Sequence, residues 1–176
     1  AEVKDEWGMV VNFSRSSELK RDLAVNEFIN AKDIEIDTSG NLLLVSNWEQ
    51  HVIWKITPQG VASIVAGTGL PGLRDGPASL AQFDSPHGLC VTKSGTIYVA
   101  DTYNHKIRKI STDGMVSTLV GHRGGTSDGQ SPVAKIQAPH DIITDPKGNF
   151  LLVADTFSHR IRKISIDDRI YRHRNP

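Results

Sequence analysis

Between residues 87 and 121 the chain alternates short apolar runs with short polar breaks. The run "HGLCVT" (87–92) is followed by "KSG" (93–95), and "TIYVAD" (96–101) by "TYNH" (102–105). "KIRKIS" (106–111) then places apolar and basic residues in turn, the period-two pattern of a strand with one wet face. After "TDG" (112–114) comes a last apolar run, "MVSTLVG" (115–121). β-branched and aromatic residues fill the runs, and Gly, Asp and Asn fill the breaks. Four short strands in an antiparallel meander are predicted.

The pattern repeats. "VADTYNHKIRKI" at 99–110 returns as "VADTFSHRIRKI" at 153–164, and "VSNWEQHVIWKI" at 45–56 is a looser copy. Val45, Val99 and Val153 are 54 residues apart (99 − 45 and 153 − 99). A unit of this length holding four strands is the blade of a β-propeller. In the first copy "DIEID", "LLLVS", "HVIWKI" and "VASIVAG" are the strands; in the third, "HDIIT", "FLLVA" and "HRIRKIS" are three, and "RIYRH" begins a fourth. "WGMVVNFS" (7–14) and "ELKRDLAV" (18–25) read as the third and fourth strands of a preceding blade. The expected fold is therefore all-β, a partial propeller of about three to four four-stranded blades from a six-bladed ring. Residues 1–29 form the tail of a preceding blade, 30–85 and 86–138 form a blade and a linker each, and 139–176 form an incomplete third blade. An open ring leaves raw edges, so missing sequence or another chain is expected to complete it.

At 176 residues the chain can hold one good core or several small units stacked together. Lys+Arg 20 against Asp+Glu 20 leaves no net charge, so nothing directs it to nucleic acid or an anionic membrane. Segment 157–176 carries six Lys/Arg and two Asp, but too few interleaved aromatics for an RNA-binding strip. Cys90, the only cysteine, sits in the apolar "GLCVT" and reads as a small buried hydrophobe with no disulfide partner in the chain. No apolar stretch approaches the ~20 residues that span a bilayer. The chain opens at Ala1 without a signal pattern, so either a leader was removed or this is part of something longer. With the sequon Asn12-Phe13-Ser14, that start leaves a secreted or extracellular location open. The glycines at 66–76 are followed by no Lys-Ser/Thr pair or helix, so they are not a phosphate cradle. No Ser-His-Asp or Cys-His constellation emerges from the spacing.

The stretch "SPHGLCVTKSGTIYVADTYNHKIRKISTDGMVSTLVG" resembles a repeat of the NHL-repeat β-propeller family, down to the Asn104-His105 pair. The linker "AGTGLPGLRDGPASLAQFDSP" (66–86) is similar to the Gly-Asp-Gly linkers between blades of that family. The resemblance covers 30–176 well and 1–29 loosely. The first copy departs from it, with Ser46-Asn47-Trp48 in place of Ala-Asp-Thr and Trp54 in place of Arg108 and Arg162.

Antiparallel topology gathers the long linkers, the Pro86-His87 and Pro139-His140 pairs and the turns 101–105 and 155–159 on one face. The other face receives only short turns. Binding is expected on the loop-rich face, with Tyr103, Asn104 and Phe157 at its tips and Asp101 and Asp155 beside them. Each aspartate has two readings: a polar clamp, taking turn N–H groups or pairing with His105/Arg108 and His159/Arg162, or a ligand-facing carboxylate. His87 and His140 each open an innermost strand and point toward the axis. They read as strand caps in a wet channel, or as two ligands of Zn²⁺. "APHDIITDPKGNFLLVADTFSHRIRKI" also resembles the peptidylglycine amidating lyases, whose zinc is held by histidines that follow prolines, and that resemblance implies His87 and His140 as ligands. Blade one offers Lys32 at the matching place. The expected function is non-catalytic: a recognition or scaffold module, without cofactor, presenting its loop-rich face to a protein or glycan partner, or a structural subunit. The alternative is a zinc-dependent lyase or hydrolase centred on His87 and His140.

Overall fold

The computed structural model describes residues 31–36, 43–57, 61–121 and 134–166. The strands expected at 7–14 and 18–25, the "RIYRH" strand and the Asn12 sequon lie outside the described residues.

The fold is all-β. The first blade comprises β1 (Ala31–Ile36), β2 (Leu43–Asn47), β3 (Val52–Ile56) and β4 (Ala62–Ala66), adjacent in chain order. The middle blade comprises β6 (Pro86–Val91), β7 (Ile97–Asp101), β8 (Lys106–Ile110) and β9 (Met115–Val120). The third shows β10 (Pro139–Thr144), β11 (Phe150–Asp155) and β12 (Arg160–Ser165). All pairs are antiparallel, and the repeat carries through to register: Val99 lies opposite Arg108 as Val153 lies opposite Arg162. The one helical element among the described residues is a 3-10 turn, Thr156–Ser158.

The linker before the middle blade supplies a short strand that the hydrophobic pattern did not reveal. β5 (Gly76–Pro77) pairs with Val116 and Met115 and adds a fifth strand to that sheet. Two residues without alternation carry no periodic signal; the strand exists because the linker is pinned on either side. Arg74 bridges Gln82, and Ala78 N–H donates to the Gly114 carbonyl.

The core lies between sheets. Leu89, Val91, Ile97, Val99, Ile110 and Val116 of the middle blade pack with Ile53 and Ala66 of the first and with Phe83 of the linker. Cys90, Tyr98, Ala100, Ile107 and Val120 point the other way, against Ile142, Leu151 and Val153 of the third blade. β7 is buried along its whole length, which explains why "IYVA" (97–100) is a continuous apolar run rather than an alternating one. Each fully buried Val, Leu, Ile or Phe among them contributes about 1.5–3 kcal/mol. Cys90 is buried as expected, and burial, followed by the charges of Glu35, Asp33 and Asp141, pushes its thiol up to about 12.

The outer faces of the stack are different. Ile34 and Ile36 on the first blade are 59% and 53% exposed, and Ile143 and Ile161 on the third are 54% and 71% exposed. The three innermost strands β1, β6 and β10 lie side by side. Each carries a register shift near its start, at Lys32, at His87–Gly88 and at His140. A bulge puts an extra residue into the strand and re-aims its side chain. Here it breaks the in-out alternation at the three positions that open the axial strands.

Candidate binding face

The bulged residues and their neighbours form a ladder across the loop-rich face. Lys32 Nζ lies 5.0 Å above the Trp48 ring. The Trp48 and His87 rings are 6.0 Å apart, His87 and His140 4.6 Å, and His140 and Phe157 6.0 Å, each pair meeting edge to face. The structure places the His87 and His140 rings beside each other, with Trp48 and Phe157 at the ends. His87 is lowered to about 4, first by burial and then by the positive potential of His140 and Lys32. It is a neutral imidazole at physiological pH.

Among the described residues no three His, Cys, Asp or Glu side chains converge as a metal site. The place where a third ligand would stand holds the Lys32 ammonium, which repels a cation. A catalytic zinc held by three protein ligands does not fit this donor set. What the ladder offers is aromatic surface, one cation and imidazole nitrogens, a set suited to partner side chains or other small polar groups.

Tyr103 and Phe157 stand at equivalent tips of adjacent blades, 55% and 59% exposed. Their backbones are fixed: Tyr103 N–H donates to the Asp84 carbonyl and Phe157 N–H to that of Gln137. Asn104, expected beside them as a contact residue, is turned inward. Its amide donates to the Gly72 carbonyl at 2.7 Å and to Asp101 at 2.8 Å.

Asp101 and Asp155 do not face a ligand. Both are fully buried, and each accepts the N–H of the residue leading into its own blade, Asp84 at 2.7 Å and Gln137 at 2.7 Å. These donors come from the linker, not from the hairpin's own turn. Asp101 also holds Arg108 at 2.7 Å, and Asp155 holds Arg162 at 3.2 Å. Arg108, wholly buried, spreads further, donating to the Gln82 and Arg74 carbonyls at 2.9 Å each and to Asp75 at 2.7 Å. Asp75 in turn accepts Thr118 N–H at 3.0 Å. One guanidinium therefore ties strand, hairpin and linker together, a geometry that only a planar multi-donor fork serves. Burial lifts the Asp101 carboxyl to about 6 against the pull of Arg108, Asp84 N–H and Asn104, so it remains ionised at neutral pH.

The histidines at 51, 105 and 159 were not singled out for the role they play. All three adopt left-handed backbone, with φ of 55°, 56° and 52°. His105 does not pair with Asp101. Its Nδ1 accepts Ala138 N–H at 2.9 Å, and His51 Nδ1 accepts Ser85 N–H at 3.0 Å. His51 and His105 thus each hold the lead-in of the following blade. The recurrence of a hairpin histidine in all three copies, even where the flanking Asp and Arg are replaced, was the signal. Gly67 and Gly121 close the same corner at φ of 109° and 116°, where a Cβ would strike the His51 or His105 carbonyl oxygen.

Three bladed sheets with side-by-side innermost strands and a loop-rich face define a β-propeller. The family model of the NHL repeat matches residues 83–110. NHL repeat-containing protein 2 of Bos taurus is 31% identical over 148 residues, covering 76% of this chain and 20% of that protein. NHL repeat-containing protein 3 of Homo sapiens is 27% identical, covering 91% of this chain and 49% of that protein. A solved structure of a protein of unknown function from Bacteroides thetaiotaomicron superposes with a TM-score of 0.70 at 26% identity, over 75% of this chain and 34% of that one. The chain carries an NHL repeat and is similar to NHL repeat-containing proteins over most of its described length, and it spans about a fifth of the length of the NHL repeat-containing protein 2 it matches.

Arg108→Met leaves Asp101 and Asp75 buried or half-satisfied and is expected to cost about 3–5 kcal/mol in denaturant unfolding, with no rescue by Arg108→Lys. An unchanged midpoint would show that the clamp does not hold the blade. The lowered His87 gives a second expectation. Between about 4 and its ordinary value of 6.5 the unfolded chain binds the extra proton, so stability falls as pH drops through that window. The His87 ring signal should titrate near 4 by NMR. Titration at its ordinary value would place the ring in open solvent.

Proposed function

We propose that this propeller segment is a recognition module that holds a protein partner on its loop-rich face, without catalysis and without a resident metal. The observation that carries the reading is the pair Tyr103 and Phe157, exposed at equivalent places on neighbouring blades with their backbones pinned. Rigid aromatic side chains that lose little entropy on contact are the usual anchors of protein interfaces. The ladder of Trp48, His87 and His140 extends that surface toward the axis. The carboxylates that could have faced a ligand, Asp101 and Asp155, are spent inside the clamp. The NHL repeat agrees, because NHL propellers are generally interaction scaffolds.

A photoreactive benzoylphenylalanine in place of Tyr103 or Phe157, in the protein in its source cells, is expected to cross-link one and the same protein from both positions. The same group at Lys93, on the opposite face, is expected to give none. Equal capture at Lys93, or no protein adduct at either tip, would overturn the reading, and a glycan adduct would move the assignment to a carbohydrate. Zinc analysis of chelator-free protein is expected to find far less than one metal per chain. Stoichiometric zinc lost in His87→Ala and His140→Ala would replace recognition with the metal-dependent alternative.

A further inference from the structure

The three axial strands open on three basic side chains. The register shifts near the starts of β1, β6 and β10 fall at Lys32, His87 and His140, one from each blade. The two imidazoles meet at 4.6 Å, and Lys32 joins them through Trp48, whose ring it overlies at 5.0 Å. The acids of the same strands are engaged elsewhere. Asp33 takes Ile34 N–H with one oxygen and Leu89 N–H with the other, each at 2.8 Å, and Asp141 takes Ile142 N–H at 2.8 Å. With Glu35, these carboxylates bear on Cys90, whereas the charges that bear on His87 are those of His140 and Lys32. Positive charge therefore gathers at the loop-rich end of the axial strands, and negative charge lies further along them. Among the described residues no carboxylate pairs with Lys32.

The first blade departs from the other two at both ends of this contact. Where they carry His87 and His140 it carries Lys32, and where they carry Thr102 and Thr156 it carries Trp48. The threonine is a fastening: Thr102 Oγ1 donates to the Pro139 carbonyl of the next blade at 2.7 Å. Trp48 gives that bond up. Its ring is half-buried, and its Nε1–H is enclosed with no acceptor among the described residues. An enclosed donor without an acceptor is unfavourable, and in folded proteins it commonly marks the place of a missing ion, water or ligand. An exposed ammonium and an unanswered indole N–H thus stand side by side, and both call for an acceptor that carries negative charge.

We propose that the Lys32–Trp48 end of the ladder is a subsite for a carboxylate carried by the protein partner. This rests on the recognition reading and adds the chemistry of what is recognised: an acidic residue seated toward the axis while the partner's apolar groups meet Tyr103 and Phe157. One carboxylate oxygen takes the Lys32 ammonium. The other takes the indole N–H after a small turn of the ring, and the His87 edge closes the inner side. Lys32 supplies one permanent charge, which matches a singly charged carboxylate better than a phosphate carrying close to two. A single ion pair at an exposed lysine is weak, so the subsite orients the partner and selects it, and the aromatic tips carry the affinity.

Nitrogen-15 tryptophan gives indole signals from Trp7, Trp48 and Trp54, and Trp48→Phe identifies the one that reports. The probes are N-acetylglutamate α-amide for an acidic side chain, N-acetylalanine for a chain end, N-acetylglutamine α-amide as the neutral isostere, and inorganic phosphate. A carboxylate probe is expected to move the Trp48 signal downfield and to saturate at about millimolar concentration. The tighter of the two carboxylates names the source. The glutamine probe is expected to move nothing. Lys32→Gln is expected to weaken carboxylate binding about tenfold at unchanged melting temperature, and Lys32→Arg to keep it. Equal shifts from the glutamine probe, or undiminished binding in Lys32→Gln, would overturn the subsite. Tighter binding of inorganic phosphate than of either carboxylate would overturn the ligand class. The photoreactive group at Phe157 separates this inference from the recognition reading. With Lys32→Glu in the same chain its protein adduct is expected to disappear. An adduct that persists would overturn the subsite's part in partner binding and leave recognition standing. Normal carboxylate binding beside tips that capture no protein would overturn recognition and leave the carboxylate site standing.

Discussion

No blade of this protein is thick enough to bury both of its faces alone. A single twisted sheet of four short strands gains a core only by stacking, so the stability of each blade belongs jointly to it and its neighbours. The middle blade shows the consequence. Ile97 and Val99 alternate with Tyr98 and Ala100 and are buried on opposite sides, in two different clusters. Close stacking requires the innermost strands to approach until backbone touches backbone. At Gly88 they do, and the absence of a side chain is what lets the third blade close.

Stacking alone leaves blades free to slide, because apolar faces have little directionality. The polar fastenings set the register. A hairpin histidine in left-handed conformation takes the N–H that leads into the next blade, and a buried carboxylate takes the N–H that leads into its own. Arg108 adds a second level by capturing the linker through Asp75 and two carbonyls. Burying these charges is expensive, and a hydrophobic clamp of the same volume would be no less stable in principle. The fork does what an apolar residue cannot: it fixes the path of a Gly-rich linker that has no periodic structure of its own. In the first blade Trp54 stands in the arginine's place and its indole donates to Gln50 instead.

The order imposed on the linkers is what makes the loop-rich face usable. Tyr103 and Phe157 project from turns whose backbone is hydrogen-bonded to the linkers Arg108 and Arg162 hold. The bulges at the start of the innermost strands add the axial ladder, bringing two imidazoles to 4.6 Å and keeping one of them neutral. Rigid aromatic tips, a neutral histidine and a lysine thus meet on one face of the stacked blades.

Period-two alternation and the 54-residue spacing were enough to determine the strands, their antiparallel order and the repeat, because these depend on local propensity and on which residues need burial. The burial of Cys90 and the pairing of Asp101 with Arg108 were also within reach, since both follow from residue type and strand position. Other features depend on contacts between residues far apart in the chain. The inward turn of Asn104 depends on a linker carbonyl 32 residues away. The strand at Gly76–Pro77 has no alternation to read and exists only where the linker meets β9. His51 and His105 recur visibly, but their partners lie 34 and 33 residues on, in the next blade. The convergence of Lys32, Trp48, His87, His140 and Phe157 arises from bulges, which shift register by one residue and erase the alternation that would have announced them. Sequence spoke for what each blade does within itself; tertiary structure decided what the blades do to one another, because those bonds are set by distance in space.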